Sequence, residues 1–219
     1  MAKRNRSFAV VGLGAFGSTV ATELARFGNR VVGIDIDERR VSLLTSTLTS
    51  ALIMDATDEA ALREAGIDNY DVALVAIGSN LEASILTAMT LKLIGIETIW
   101  VKASSRTHHR ILAKLGVDRV IQPEQEMGRH IAQMLNNPVL QDYVSLGNGY
   151  SVVNIVVPER LTGRELSSLG LGSVYDLRLL GVMRGTEFRH STEDTLLETD
   201  DKLILLGKRG ELRSFGDSL

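Results

Sequence analysis

The sequence predicts an α/β fold: a doubly wound parallel sheet, a connecting helix and a small C-terminal α+β domain. Short β-branched runs alternate with segments of helical period up to Leu135, which is typical of parallel strands joined by crossover helices. A glycine-rich turn directly follows the first of these runs. After Pro138 the long helices stop, and strands separated by Gly, Asp and Arg turns replace them.

Six strands and five crossover helices make up the predicted sheet. The strands are expected at residues 8–11, 30–34, 51–54, 72–77, 98–101 and 119–121. The helices are expected near residues 16–27, 38–48, 58–65, 81–93 and 106–115.

A further helix begins at Pro123 and is expected to stop at Pro138. Its apolar residues Met127, Ile131, Met134 and Leu135 form one stripe. Such a stripe either covers its own sheet or crosses to a partner subunit, and its place after the last strand favours the crossing helix.

The predicted domains are a nucleotide-binding domain at residues 1–122, the crossing helix at 123–142 and the small domain at 143–219. Within the small domain, strands are expected at residues 151–157, 177–183 and 203–206.

Composition excludes several classes of protein. The 219 residues contain no Cys, so disulfides, zinc fingers, iron–sulfur centres and thiol catalysis are ruled out. A net charge of −3 argues against a nucleic-acid footprint spread over the whole protein, although it leaves local patches open, and we expect no nucleic-acid partner. No apolar stretch approaches the roughly 18 residues of a membrane span, and the amino terminus lacks a signal pattern. We therefore expect a soluble, cytoplasmic protein.

The glycine turn carries the main functional signal. Gly12 permits a tight turn, Gly14 lets backbone N–H groups approach a pyrophosphate, and Gly17 allows close packing of helix on strand. Asp35 ends the second strand, where its carboxylate can accept hydrogen bonds from ribose hydroxyls and would repel a 2′-phosphate. The pattern predicts a Rossmann-like nucleotide site that disfavours NADP.

Further candidates follow the other strands of the sheet. They are the segments Asp55-Ala56-Thr57 and Ala76-Ile77-Gly78, then Lys102 and Glu124. The two segments either line a cleft or cap helices, and the same segment can do both. Lys102 can meet phosphate. Glu124 either holds a divalent ion or only favours the dipole of its helix.

No catalytic centre stands out in the sequence. No Tyr is followed four residues later by Lys, and there is no phosphate loop of the Gly-x-x-x-x-Gly-Lys-Ser/Thr type. His108 and His109 are adjacent, so on a helix they point about 100° apart. We expect them to form a polar helix face rather than a metal site. A nucleotide site without a chemical centre indicates a sensor and not an enzyme.

Six ordered motifs resemble one known family. They are the run from Phe8 to Gly17, Val32-Gly33-Ile34-Asp35, Asp55-Ala56-Thr57, Val75-Ala76-Ile77-Gly78, Ile99-Trp100-Val101-Lys102-Ala103 and Pro123-Glu124-Gln125-Glu126-Met127-Gly128. Together they resemble the RCK (KTN) regulatory subunits of Ktr/Trk potassium uptake systems, nearest to the KtrA type, over essentially the whole chain. The small domain is similar to the RCK-C (TrkA-C) module.

This resemblance implies a cytoplasmic gating ring, an octamer assembled from dimers, at the inner face of the cell membrane beneath a potassium translocator of the KtrB/TrkH type. It implies ATP or ADP in each cleft, with NAD(H) as an alternative. In some relatives the C-terminal module binds cyclic di-AMP. The implied cofactor-binding residues are Gly12, Gly14, Ala15, Phe16, Gly17, Asp35, Ile36, Asp55, Ala56, Thr57, Ala76, Ile77, Gly78 and Lys102.

Two positions bear on the ligands. Glu124 matches the glutamate that coordinates a divalent or sodium ion at the family's dimer interface. Ala15 stands where many KtrA-like chains carry an arginine that reaches a neighbour's terminal phosphate, which leaves the choice between ATP and ADP open.

The competing hypotheses are a small NAD(H)-dependent oxidoreductase and an RCK regulator of another cation channel or antiporter. A DNA-binding repressor would need a basic recognition helix, and the sequence shows none.

Overall fold

The computed structural model describes residues 6–136, 140–190 and 194–219. The chain divides into two compact units, of which the first ends at Pro123 and the second begins at Glu124. The doubly wound parallel sheet and the small C-terminal α+β unit that the sequence predicts are both confirmed.

The first unit is built on a parallel sheet with six strands in the described residues. They are β1 (Ser7–Val11), β2 (Arg30–Asp35), β3 (Ser50–Ile53), β4 (Val72–Val75), β5 (Thr98–Lys102) and β6 (Arg119–Ile121). The order across the sheet is β3-β2-β1-β4-β5-β6. The strand order therefore reverses beside β1, which is the point where folds of this kind bind ligands.

Helices connect these strands and cover the sheet. They are α1 (Ala15–Arg26), α2 (Glu38–Ser42), α3 (Glu59–Glu64), α4 (Leu81–Leu93) and α5 (Arg106–Leu115). Asp37, Asp58, Asn80 and Ser105 each begin a helix by accepting a hydrogen bond from its first turn. Successive residues of a strand point to opposite faces, so Val10 and its neighbour Val11 belong to different apolar clusters.

Two predicted elements end at least two residues later in the sequence pattern than in the structure. The second helix ends at Ser42 and not at residue 48. Val41, Leu44 and Leu48 keep a helical spacing and are buried in one cluster, but the chain after Ser42 forms turns. The Thr45 hydroxyl donates to the Ser42 carbonyl at 3.0 Å, a local bond of the kind that competes with helix. The fourth strand ends at Val75, two residues earlier than expected.

The helix α6 (Pro123–Asn136) leads into the second unit, and none of its residues is buried. Met127, Ile131 and Leu135 on its apolar stripe are 58%, 44% and 79% exposed. The predicted stop at Pro138 lies outside the described residues, as does part of the predicted boundary between helix and small domain.

The second unit contains an antiparallel sheet in the order β10-β9-β11-β8-β7. Its strands are β7 (Leu140–Gly147), β8 (Tyr150–Val156), β9 (Arg178–Arg184), β10 (Glu187–Arg189) and β11 (Lys202–Lys208), with helices α7 (Leu171–Tyr175) and α8 (Arg209–Ser218). Residues Ile155, Leu203, Leu205 and Phe215 are almost fully buried and form the centre of its core. The sequence pattern did not predict β7 or β10.

A buried ion pair fixes the chain ahead of β11. Asp201 is fully buried, and its carboxylate accepts hydrogen bonds from Nε and Nη2 of Arg184, both at 2.8 Å, and from the N–H of Glu198 at 2.9 Å. Burial acts to raise the pKa of Asp201, but the Arg184 guanidinium and the Glu198 N–H outweigh it and lower that pKa. The carboxylate therefore stays charged.

None of the described helices has both the length and the hydropathy that crossing a bilayer requires.

Candidate nucleotide-binding site

The structure gathers the predicted site segments of the first unit at one edge of the parallel sheet. The glycine turn follows β1, Asp35 ends β2, the segment 55–57 comes after β3, the segment 76–78 after β4, and Lys102 ends β5. Because all these strands are parallel, their carboxyl ends lie at the same edge. The segments that follow β1, β2 and β4 flank the point where the strand order reverses.

The three glycines of the turn meet three different surroundings. Gly12 has φ +93°, and a Cβ there would lie 2.9 Å from the backbone nitrogen of Ile77. A Cβ on Gly17 would lie 1.9 Å from the Gly12 carbonyl oxygen, so helix α1 can approach β1 only with glycine at this position. A Cβ on Gly14 would have no described atom within 4 Å. Gly14 therefore borders open space at the amino end of α1.

Asp35 is held in place by backbone donors. Its Oδ2 accepts the N–H of Leu13 at 2.7 Å and its Oδ1 accepts the N–H of Asp37 at 2.9 Å. The Arg40 guanidinium approaches Oδ2 at 3.4 Å. The residue is only 7% exposed, and a carboxylate offers about four acceptor positions. Leu13, Asp37 and Arg40 use three of those positions, which leaves one without a described donor.

Apolar and polar groups follow β2 and β3. Ile36, the residue after Asp35, is 74% exposed, so an apolar side chain is open to solvent where β2 ends. Asp55 accepts the N–H of Thr57 at 2.9 Å and its hydroxyl at 2.8 Å. These two bonds lower the pKa of Asp55. Ala56 between them is buried, so it supports the turn and does not present a side chain to solvent.

A cation stands over the turn. The Lys102 ammonium lies 5.7 Å from the centroid of the Phe16 ring, a cation–π distance. A Cβ on Gly78 would lie 3.4 Å from the same Nζ atom. Phe16 and Gly78 thus both border the Lys102 ammonium. Ala15, the first residue of α1, is exposed and offers only a methyl group.

The metal prediction concerns the second unit. Glu124 is exposed in the first turn of α6, next but one to Glu126. Within residues 6–136, 140–190 and 194–219, no group of three or more His, Asp or Glu side chains is placed to hold a metal ion. The assignment of Glu124 as an ion ligand stays a prediction.

The prediction of a polar helix face at His108 is wrong. His108 is 1% exposed, because its side chain lies on the inner face of α5 with Leu112. Ser105 caps the same turn by accepting the His108 N–H at 3.1 Å. The signal that could have revealed this is the spacing of four residues between His108 and Leu112, which places both on one helix face.

Family models match both parts of the chain. The TrkA-N domain model matches residues 8–123, and the TrkA-C domain model matches residues 151–219. The chain belongs to the TrkA-N/TrkA-C family. The RCK (KTN) resemblance of the sequence motifs is thereby confirmed.

Curated relatives align over nearly their full length. The chain is 36% identical over 213 residues to the Ktr system potassium uptake protein A of Bacillus subtilis (strain 168), covering 97% of this chain and 96% of the relative. It is also 36% identical over 209 residues to the protein of the same name from Vibrio alginolyticus, covering 95% of each.

Solved structures share the fold. The GsuK channel bound to NAD superposes with a TM-score of 0.58 at 19% identity, over 99% of this chain and 39% of the GsuK chain. The TrkA-N domain of the inner membrane protein ybaL from Escherichia coli superposes with a TM-score of 0.52 at 20% identity, over 62% of this chain and 99% of that domain. Identity this low supports the fold alone.

Proposed function

We propose that this protein is a cytoplasmic regulatory subunit of a potassium uptake system, controlled by a nucleotide bound at the carboxyl edge of its parallel sheet. The observation that carries the proposal is the Asp35 carboxylate, held by two backbone N–H groups beside the open space at Gly14. A ribose and a phosphate chain need these two features next to each other. The Ktr proteins of the family supply the potassium context.

The chemistry of the edge favours an adenine nucleotide without a 2′-phosphate. The Asp35 carboxylate accepts from ribose hydroxyls and repels an added phosphate. Ile36 packs on the base, and the amino end of α1 together with Lys102 neutralises the phosphates. ATP and ADP fit this description, and NAD(H) is the alternative ligand. Ala15 supplies no cation of its own, so discrimination between ATP and ADP falls to other groups.

Calorimetric titration with ATP, ADP, NADH and NADPH tests the site. Asp35→Asn keeps the shape of the side chain but replaces one acceptor oxygen by an amide group. We expect affinity to fall about tenfold or more, the scale of one charged hydrogen bond. Asp68→Asn, on an exposed turn at the opposite edge of the sheet, is the matched control. Equal affinity in both variants, or no binding by the wild type, contradicts the nucleotide site.

Regulation requires no bond to be broken. A ligand shifts a protein between two shapes only through different affinities for them, and a coupling of about 1–3 kcal/mol is the usual scale. We propose that a membrane translocator of the KtrB/TrkH type reads these shapes from the inner face of the membrane. The test is potassium flux into vesicles that hold the translocator and this protein, with ATP or ADP added. A flux that is identical with either nucleotide and without one argues against regulation by nucleotide.

Helix α6 is the proposed contact with a second copy of the chain. Fourteen residues without a buried side chain form a marginal helix in water, so its apolar stripe needs a covering surface. Pairs of this kind would assemble into a ring, for which an octamer is expected. Native mass spectrometry of Ile131→Glu tests the contact, and Gln125→Glu, about 120° around the helix from Ile131, is the control. Assembly unchanged by Ile131→Glu contradicts the proposal.

The ion and the second ligand are separate proposals. Glu124→Gln should abolish any effect of Mg²⁺ or Na⁺ on assembly, whereas Glu126→Gln in the same helical turn should keep it. Binding of cyclic di-AMP by the C-terminal unit stays a prediction, and its direct measurement is titration of the full chain.

A further inference from the structure

His108 is buried in the first turn of α5, three residues beyond the loop that leaves β5. Its Nδ1 lies 3.3 Å from the backbone nitrogen of Ser104, which donates to it, and 3.3 Å from the Ser104 hydroxyl. Because Nδ1 accepts, the proton of the neutral imidazole is on Nε2. The ring therefore closes a small loop whose first residue, Ala103, directly follows Lys102.

Packing alone does not explain an imidazole at this position. The Nε2 atom is buried and has no hydrogen-bond partner among the described residues. A buried N–H without an acceptor costs about 1–3 kcal/mol, and a leucine would fill a similar space without that cost. What the imidazole offers and leucine lacks is the acceptor Nδ1.

The neighbouring helix carries two more orphaned polar atoms. Ser84 Oγ and Thr87 Oγ1 are buried on α4, which packs beside α5, and neither has a partner among the described residues. Both lie in the first two turns of α4, as His108 lies in the first turn of α5. The two helices therefore bring polar atoms into the core layer nearest to the proposed ligand edge.

The loop that His108 closes follows a residue of the proposed nucleotide site. Lys102 ends β5, and the N–H of Ala103 donates to the Ile121 carbonyl at 2.8 Å. The Ile121 carbonyl and the His108 ring thus hold the two successive residues after Lys102. A shift of this loop moves the backbone of Lys102, whose ammonium lies over the Phe16 ring.

We propose that His108 is a positioning residue of the nucleotide site: its Nδ1 holds the Ser104 N–H and thereby fixes the loop that sets the position of Lys102. The inference rests on the proposed nucleotide-binding function. Protonation of the ring would place an N–H group at Nδ1 against the Ser104 N–H, donor against donor, and the loop would lose this contact. Nucleotide affinity should then fall as the pH is lowered through the pKa of His108.

Burial is the cause that lowers the pKa of His108, so the ring is neutral at physiological pH. The elements packed around α5 carry few charges, and α5 itself is basic. The charged or titratable residues are Glu82 and Lys92 on α4, Lys102 on β5, Arg119 on β6, and Arg106, His109, Arg110 and Lys114 on α5.

The test is titration of the full chain with ADP at about pH 7.5 and at a lower pH where nitrogen-15 spectra show His108 protonated, because burial places its pKa below the ordinary value of about 6.5. His108→Asn keeps an acceptor oxygen that does not titrate, and His108→Leu keeps only the volume. At the higher pH we expect His108→Asn to bind within about twofold of wild type and His108→Leu to bind about fivefold more weakly, the value of one hydrogen bond.

The effect of lower pH distinguishes a positioning role of His108 from a purely structural one. Wild type and the neighbouring control His109→Asn should both lose about fivefold more affinity than His108→Asn on going to the lower pH. Protonation of ADP itself is common to all variants and cancels. A pH profile of His108→Asn identical to that of wild type overturns the proposal.

Two further readouts keep the test decisive. Nitrogen-15 spectra of wild type should show His108 as the Nε2–H form with a lowered pKa, and an Nδ1–H form at His108 overturns the proposal even if its variants fail to fold. If wild type binds ADP and the His108 variants match it, only the positioning role fails. If wild type binds no adenine nucleotide, the proposed function fails first, and this inference falls with it.

Discussion

The glycine turn offers a pair of substitutions that separates folding from ligand binding. Gly14→Ala and Gly17→Ala each add one methyl group within the same turn, three residues apart. The two Cβ positions differ sharply, because one lies in open space and the other lies 1.9 Å from the Gly12 carbonyl oxygen. We expect Gly17→Ala to affect the stability of the fold and Gly14→Ala to affect only nucleotide affinity.

The cost of Gly17→Ala follows from that short distance. Within a helix, alanine normally stabilises by about 1 kcal/mol relative to glycine. At Gly17 a Cβ also meets the Ala76 side chain at 3.1 Å, and the oxygen it strikes belongs to the backbone, which cannot rotate away. Helix α1 must then move off the sheet and lose contacts in a close-packed core. We expect the free energy of unfolding to fall by about 3 kcal/mol or more.

Gly14→Ala involves two small effects of opposite sign. The residue has φ −66° and ψ −174°, which alanine adopts without strain, so a less flexible unfolded chain stabilises by about 0.4–1 kcal/mol. As the residue that begins α1, alanine is less favourable than glycine by a similar amount. The unfolding free energy should therefore change by less than about 0.5 kcal/mol. The methyl group would occupy the space assigned to the phosphates, and nucleotide affinity should fall at least about tenfold.

Urea unfolding and ADP titration of the two variants and wild type form the assay. The expected pattern is a stable Gly14→Ala that binds ADP poorly and a destabilised Gly17→Ala. A Gly14→Ala protein that binds ADP as tightly as wild type would refute the placement of the phosphates. A Gly17→Ala protein as stable as Gly14→Ala would refute the close approach of α1 to β1.

Three further predictions concern stability. Asp201 has a lowered folded pKa, so it stabilises above its unfolded pKa of about 3.9, and that contribution is lost as pH falls through the folded pKa; the hydrogen-exchange protection factors of β11 amides should fall there. Asp201→Asn leaves Arg184 without its main partner and should cost about 3 kcal/mol in urea unfolding. Lys92→Met removes the ammonium bound to the Leu115 and Gly116 carbonyls and should cost about 1 kcal/mol in thermal unfolding, against little for the equally exposed Lys114→Met.

The parallel sheet was predictable because its signals are local. The strands of the first unit are short apolar runs, and the glycine turn with its following helix shows where β1 ends. The segment after Ser42 was mistaken for helix because Val41, Leu44 and Leu48 keep the spacing of one, although turns place them in the same apolar cluster. Hydrophobic periodicity indicates which residues are buried, but it does not tell a helix from a series of turns.

The candidate site was predictable in its residues and not in its contacts. The position of Asp35 at the end of β2 follows from the sequence, but its bond to the Leu13 N–H joins residues 22 apart and depends on the folded turn. Strands β7 and β10 were missed because they are edges of their sheet, and the three residues of β10 are exposed. His108 was misassigned because a polar residue was taken to face solvent.

The Ala103 N–H and the Ile121 carbonyl, 2.8 Å apart, have a mechanical consequence. Ile121 is the last residue of β6, and only Gln122 separates it from Pro123, where α6 begins. One backbone hydrogen bond therefore links the peptide that follows Lys102 to the strand that leads into α6. Under the proposed function, a change at the phosphates and a change at the start of α6 would be coupled through this one hydrogen bond.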